Sequence, residues 1–147
     1  MEHSDQQSAE RSHEDLREQF DGRLRVIAKQ AETYWSDRSQ LDNLLAQYVG
    51  VLEGCELLYA IDRAGQQVSS NIRPGEIDAD SFGQDLSGRP YSESLSLLKD
   101  VAFRGAFACE EYLSRETQRT CVTVMYGVRS SGSLLGFIAA DFYPTRT

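Results

Sequence analysis

Three strand-like segments separated by short polar turns occupy the carboxy-terminal part of this 147-residue chain. The segments cover residues 105–113, 119–128 and 134–142, with turns at 114–118 and 130–132. Parallel neighbouring strands need a crossover connection of about a dozen residues or more, and these turns are too short for one. The pattern therefore predicts an antiparallel meander, which restricts the chain to folds built on an antiparallel sheet.

The amino-terminal third is predicted to be helical. From Glu14 onward, apolar residues recur mostly every three or four positions, as one face of a helix requires. The pair Ser36-Asp37 can cap a second segment that starts near Arg38, so a long helix followed by a shorter one and a single rod both agree with the sequence. The apolar residues at the start of this helical face, here called the helical stripe, pack either on the chain's own sheet or on a second copy of the chain.

Domain boundaries follow from composition. Residues 1–13 are almost entirely polar, and a disordered tail is predicted because few apolar side chains offset the entropy of ordering them. Residues 14–147 are predicted to form one domain, with helical structure over 14–50 and the sheet core over 55–143.

Between the helices and the meander, the sequence predicts a hairpin and a long loop. Residues 56–62 form an apolar run that ends in a turn signal, and residues 66–70 resume as a second short strand. Residues 71–90 contain two prolines and three glycines among acids and serines, which predicts a loop of the kind that often binds ligands. A short helix over residues 91–99 is predicted to close that loop.

Charge and composition exclude several classes of function. Fifteen basic and twenty-three acidic residues give a formal charge of -8, which repels nucleic acid and anionic membrane surfaces. The start is polar and no run of about 18 apolar residues occurs, so a cytoplasmic chain with no membrane span is expected. Three cysteines without framework spacing favour buried thiols in a reducing compartment.

Catalytic and cofactor motifs are absent from the sequence. The two histidines, His3 and His13, lie in the predicted tail. The predicted domain therefore contains no histidine for a haem ligand, a His-based zinc site or a Ser-His or Cys-His catalytic pair. No phosphate-binding glycine-rich loop occurs. We therefore expect no cofactor and no enzyme; an enzyme would have to use carboxylates such as Glu110, Glu111 or Asp141.

Three stretches of the chain resemble the PDC, or Cache, sensor domains. Residues 57–69 are similar to the family's opening hairpin, in which an apolar strand ends in Asp and a glycine-containing turn follows. Residues 85–91 are similar to the segment that enters the pocket helix, and residues 134–142 to the closing strand. The layout matches over roughly residues 14–143.

The resemblance implies an α+β fold: a PAS-like antiparallel sheet of five to six strands with a long N-terminal helix and short helices on one side. It implies a ligand-sensing domain that binds a small, carboxylate-bearing or amino-acid-like metabolite and relays the signal to an output domain or partner. Most Cache domains are extracytoplasmic and flanked by membrane helices, so this chain resembles the soluble members. The alternative is a ligand-free PAS-like module that dimerises through its N-terminal helix.

Ligand-binding residues are predicted partly from the resemblance. The family's amino-acid-binding pattern places an Arg and an aromatic residue where Arg89 and Tyr91 stand, and Tyr112 matches a later Tyr. Ser114 stands where the pattern has an Asp. A guanidinium pairs a carboxylate bidentately, so Arg89 is predicted to bind a ligand carboxylate or, alternatively, to pair with a loop acid such as Asp85.

The strands supply the other candidates. Thr123 and Tyr126 are three apart on one strand and point to opposite faces, and Thr123 is predicted to face the pocket. Asp141 lies in an apolar strand, where a carboxylate binds a ligand ammonium or anchors the strand's end. Cys109 and Cys121 flank a turn and face each other if that turn is symmetrical. They then form either a functional thiol pair or ordinary buried side chains.

Overall fold

An antiparallel sheet carrying two helices on one face forms the core of the computed structural model. The structure describes residues 3–86, 106–108, 112–113 and 120–143, with side chains over 18–86, at 106 and over 120–143. The predicted α+β, PAS-like architecture with a long N-terminal helix is confirmed. Within these residues, no helix is both long enough and apolar enough to cross a bilayer.

Two helices precede the sheet. Helix α1 covers His3–Tyr34 and helix α2 covers Arg38–Tyr48, followed by a 3₁₀ turn at Val49–Val51. The side chain of Asp37 accepts a hydrogen bond from the backbone N of Gln40 at 3.2 Å, which caps α2 and favours two helices over a single rod.

Helix α1 begins at His3, eleven residues before the predicted start at Glu14. The predicted disordered tail over residues 1–13 therefore differs from the structure, which continues the helix through nearly all of that segment. No Pro or Gly occurs before Gly22, so the polar residues add to an existing helix without a breaking residue. Extension of a nucleated helix needs only one new hydrogen bond per residue fixed.

The sheet is antiparallel throughout. Its order is β3-β2-β1-β7-β6-β4, and β5 also pairs with β6. The long strands β1, β6 and β7 occupy its centre, and a two-residue turn with positive φ at Ser131 and Gly132 joins β6 to β7. The strands are β1 (Cys55–Asp62), β2 (Asn71–Arg73), β3 (Glu76–Asp78), β4 (Phe107–Ala108), β5 (Tyr112–Leu113), β6 (Thr120–Ser130) and β7 (Ser133–Phe142). The predicted meander is confirmed.

The predicted second arm of the first hairpin pairs with β1 only over its first residues. Gln67 bridges Ile61, and the backbone N of Asp62 donates to the Gln66 carbonyl and that of Val68 to the Ala60 carbonyl, each at 2.9 Å. Regular strand pairing resumes at β2, where Ile72 lies opposite Leu58. The Ser69 hydroxyl accepts the hydrogen bond of the Ala60 backbone N at 2.9 Å, so a side chain replaces a backbone carbonyl there. The predicted long loop over 71–90 also contains the β2–β3 hairpin, which turns at Pro74 and Gly75.

The helices bury one face of the sheet. Phe20 of α1 stacks on Phe142 of β7 with ring centroids 4.8 Å apart. Leu24 and Ile27 are also fully buried, so this part of the helical stripe packs on the chain's own sheet. The core on this side continues through α2 and the inward positions of β1, β6 and β7, including Leu41, Leu45, Leu58, Val124 and Ile138.

Candidate functional site

Asp141 is a buried carboxylate on the sheet face that points away from the helices. It lies on β7, between Leu57 of β1 and Thr123 of β6. Its side chain is 5% exposed, although it stands in an apolar strand. The surrounding apolar cluster on this face comprises Leu57, Tyr59, Ile61, Leu86, Met125, Leu134, Phe137 and Ala139.

Two hydroxyl groups hold this carboxylate. Thr123 Oγ1 donates to Asp141 Oδ1 at 2.7 Å, and the Tyr59 hydroxyl donates to the same oxygen at 3.3 Å. Thr123 is fully buried and Tyr59 nearly so. These bonds offset part of the cost of removing a charge from water and orient the carboxylate. The result is a fixed negative charge on an apolar floor, an arrangement suited to a ligand cation.

The structure brings together two of the five predicted site residues, Thr123 and Asp141. Tyr112 lies on β5 opposite Cys121, next to the strand that carries Thr123. Arg89 and Tyr91 lie outside the described residues. Thr123 and Tyr126 were predicted to point to opposite faces of β6. The packing agrees, because Tyr126 contacts the core on the helix side of the sheet, whereas Thr123 contacts Asp141 on the other side.

Tyr59 contacts the buried carboxylate and was not among the site residues predicted from the sequence. It lies on the predicted first strand, 82 residues before Asp141, and only the pairing of β1 with β7 makes it a neighbour of that carboxylate. Alternation along β1 places positions 57, 59 and 61 on one face, which is the signal that was available. The order of the strands was the missing information.

The predicted pairing of Cys109 with Cys121 involves a residue outside the described part of the chain, Cys109. The described position opposite Cys121 is Tyr112 of β5. The side chains of Cys55 and Cys121 are both buried.

The later part of the predicted binding loop, at residues 84–86, is hydrogen-bonded to the edge of this face. The backbone N of Gln67 donates to the carbonyl of Gln84 at 2.8 Å, and the N of Leu86 donates to the carbonyl of Gly65 at 2.8 Å. The Gln67 amide also donates to the Asn71 side chain at 2.9 Å. These bonds place the Leu86 side chain in the apolar cluster beside the buried carboxylate.

A cleft of about 340 Å³ adjoins the same face at the β2 side. Leu57, the register neighbour of Asp141, and Tyr143, two residues after it, both contribute to its walls. The remaining lining comes from the strand start and the β2–β3 hairpin: Glu56, Arg73, Pro74 and Glu76. Within the ranges described, no cluster of three or more His, Cys, Asp or Glu side chains is arranged to hold a metal ion.

Burial raises the pKa of the Cys55 thiol from 9.0 to about 12, and the negative charge of Asp141 adds to this effect. Cys55 Sγ donates to the carbonyl of Leu57 at 3.3 Å. The thiol is therefore a neutral packing group at physiological pH, with little of the thiolate that redox or nucleophilic chemistry needs.

The raised pKa predicts a loss of stability at alkaline pH. The unfolded chain releases the Cys55 proton near pH 9.0, whereas the native state retains it to about pH 12. The free energy of unfolding therefore falls across that window, by roughly 1 kcal/mol per pH unit. We expect urea denaturation of Cys55→Ala to lack this component, so that the stability difference from the wild type shrinks as pH rises. A difference that stays constant with pH would contradict the prediction.

Comparison with known proteins gives structural matches only. No family model matches the chain, and neither does any curated protein. A Desulfohalobium retbaense extracellular ligand binding receptor superposes with a TM-score of 0.72 over 95% of this chain at 14% identity. The Bacillus subtilis YkuI protein, which has an EAL domain, gives 0.71 over 97% at 17% identity. The Campylobacter jejuni chemoreceptor Tlp3 sensory domain, with isoleucine bound, gives 0.66 over 93% at 16% identity.

These matches decide the fold. It is the fold of the PDC/Cache-like sensory domains. The chain spans 24% of the Desulfohalobium receptor, 36% of YkuI and 56% of the Tlp3 chain, so the similarity covers only part of each of them.

Proposed function

We propose that this PDC/Cache-like domain senses a small amino-acid-like metabolite on the sheet face opposite α1. The observation that carries the proposal is the buried Asp141 carboxylate, which Thr123 and Tyr59 orient on an apolar floor. A ligand ammonium would pair with this carboxylate, as a buried charge favours a partner of opposite sign.

The ligand's carboxylate is proposed to bind Arg89, with Tyr91 and Tyr112 walling the pocket. This division of roles follows from the resemblance found in the sequence. The isoleucine bound to the sensory domain of Tlp3 supports an amino acid as the chemical class. Binding that favours one packing of the pocket segment over another would relay the signal to an output domain or partner.

The test is a thermal-shift screen against amino acids, amines, carboxylates and purines, followed by calorimetric titration. A ligand that binds only the native state raises the melting temperature by mass action. We expect a saturable shift with amino acids. No shift across the screen, combined with a stable dimer, would favour the ligand-free dimerisation module instead.

Asp141→Asn is the decisive variant. An amide oxygen still accepts from Thr123 and Tyr59, so the fold is retained while the charge is removed. We expect amino-acid affinity to fall about 10- to 100-fold, the range for a hydrogen bond to a charged group. Calorimetry on the two proteins measures this difference, and unchanged affinity would contradict the proposed role.

Asp42→Asn provides the matched control. Asp42 is also a buried carboxylate, and it accepts from the Ser70 backbone N at 2.8 Å and from Ser70 Oγ at 2.6 Å. It stands on α2, on the other side of the sheet. We expect this variant to lose stability and to keep the wild-type affinity for the amino acid.

A further inference from the structure

Arg73 is a cation in the cleft next to the proposed ligand site. Its side chain is half-buried and lines the cleft together with Leu57 and Tyr143. Among the described residues, Arg73 has no ion pair or hydrogen-bond partner, although Glu76 is its cross-strand neighbour. A partly buried guanidinium without a partner gains more from a ligand anion than a solvated one does.

The strand register aligns Arg73 with the buried carboxylate. Leu58 pairs with Ile72, so antiparallel counting places Arg73 opposite Leu57, and Leu57 in turn lies opposite Asp141. Directly paired residues share a sheet face, which puts Arg73 and Asp141 on the same face. Two strand spacings separate them, about 10 Å between the Cα atoms.

The charges around the cleft favour a ligand that carries both signs. Arg73 is accompanied there by the carboxylates of Glu56 and Glu76. A simple dianion would be repelled by these two acids, whereas an ammonium elsewhere on the ligand would be attracted to them and to Asp141. The cleft therefore suits an anionic group attached to an amine.

We propose that Arg73 is a specificity residue that binds a second, distal carboxylate of the ligand. The ligand class is then amino acids with an acidic side chain, held with the ammonium at Asp141 and the side-chain carboxylate at Arg73. This inference rests on the proposed function, because it assigns one end of the ligand to the Asp141 site.

The experiment compares each acidic amino acid with its neutral amide of the same shape. Calorimetric titration of the full chain uses L-glutamate against L-glutamine, and L-2-aminoadipate against its side-chain amide. We expect the wild type to prefer the carboxylate of at least one pair by tenfold or more. Arg73→Gln removes this preference while its affinity for the amide is unchanged.

Arg63→Gln is the control, because Arg63 is exposed in the turn after the opposite end of β1. It should keep the wild-type preference. If amino acids bind and Asp141→Asn weakens them, but neither pair is discriminated, the proposed function stands and the role of Arg73 is overturned. Equal losses for glutamate and glutamine in Arg73→Gln also overturn it. If no amino acid binds the wild type, both proposals fail.

Discussion

Gly136→Ala should remove about 3 kcal/mol or more of the free energy of unfolding, at the upper end of what overpacking a core costs. A Cβ at this position would lie 2.1 Å from the carbonyl oxygen of Ile61, 2.6 Å from the Trp35 ring and 2.8 Å from the Cα of Asp62. Two of these three contacts are backbone atoms of β1, so no rotamer change relieves them. The central β1–β7 pair would have to separate, and this pair also positions Asp141 beside Leu57.

Urea denaturation followed by the fluorescence of Trp35, the one tryptophan of the chain, measures the effect. Gly22→Ala is the matched control, because Gly22 lies on the exposed side of α1 with no atom within 4 Å of an added Cβ. Alanine is the better helix former, so this variant should be more stable by up to about 1 kcal/mol. A Gly136→Ala midpoint equal to that of the wild type would show that β1 and β7 separate easily.

Local signals in the sequence predicted the elements that depend on local physics. The strand-like segments 119–128 and 134–142, bounded by polar turns, predicted β6 and β7, and both strands are buried along most of their length. The Ser36-Asp37 signal offered the helix break as one of two alternatives, and the structure shows it with Asp37 as the cap, which needs only residues within one turn. The helix start was missed because the polar residues before Glu14 form helix without any apolar stripe to reveal it.

The arrangement of the site depends on long-range pairing, which one sequence does not encode locally. Thr123 and Asp141 were predicted individually, and their hydrogen bond arises because β6 and β7 form a tight hairpin. Tyr59 and Arg73 reach the same face only through β1, which joins the sheet between the second and the last strand. The Pro74-Gly75 turn between Ile72 and Ile77 was a hairpin signal that the surrounding acids and serines obscured.

The two buried carboxylates illustrate why position on the sheet decides the proposed role. Asp42 and Asp141 are similarly buried, and both accept hydrogen bonds from hydroxyl groups. Asp42 accepts hydrogen bonds from the backbone N and the hydroxyl of Ser70. These bonds connect α2 to the residues just before β2, which is a structural role. Asp141 accepts from Tyr59 of β1 and Thr123 of β6 and stands beside the apolar cluster that includes Leu86, from the later part of the predicted binding loop. The proposed contact with a ligand cation is therefore assigned to Asp141 and not to Asp42.

Phe20→Ala is expected to lower the free energy of unfolding by about 3–4 kcal/mol, because truncating a buried Phe removes apolar contacts and leaves a cavity. Phe20 is fully buried, and its ring stacks on Phe142 at an interplanar angle of 20°. Phe142 directly follows Asp141 on β7, so the stack holds the back of the strand that carries the proposed site. Loss of α1 docking should therefore weaken ligand binding together with stability.

Val26→Ala is the control on the same helix, since Val26 is 48% exposed and its truncation removes little buried surface. Urea denaturation should show a change within about 0.5 kcal/mol for this variant, as for most surface substitutions. If Phe20→Ala were equally mild, α1 would not be held on the sheet by this stack, and the helix would be free to move relative to the site. A large loss of stability in Phe20→Ala together with weaker ligand binding would support a sheet whose two faces are coupled through β7, with α1 on one side and the proposed ligand on the other.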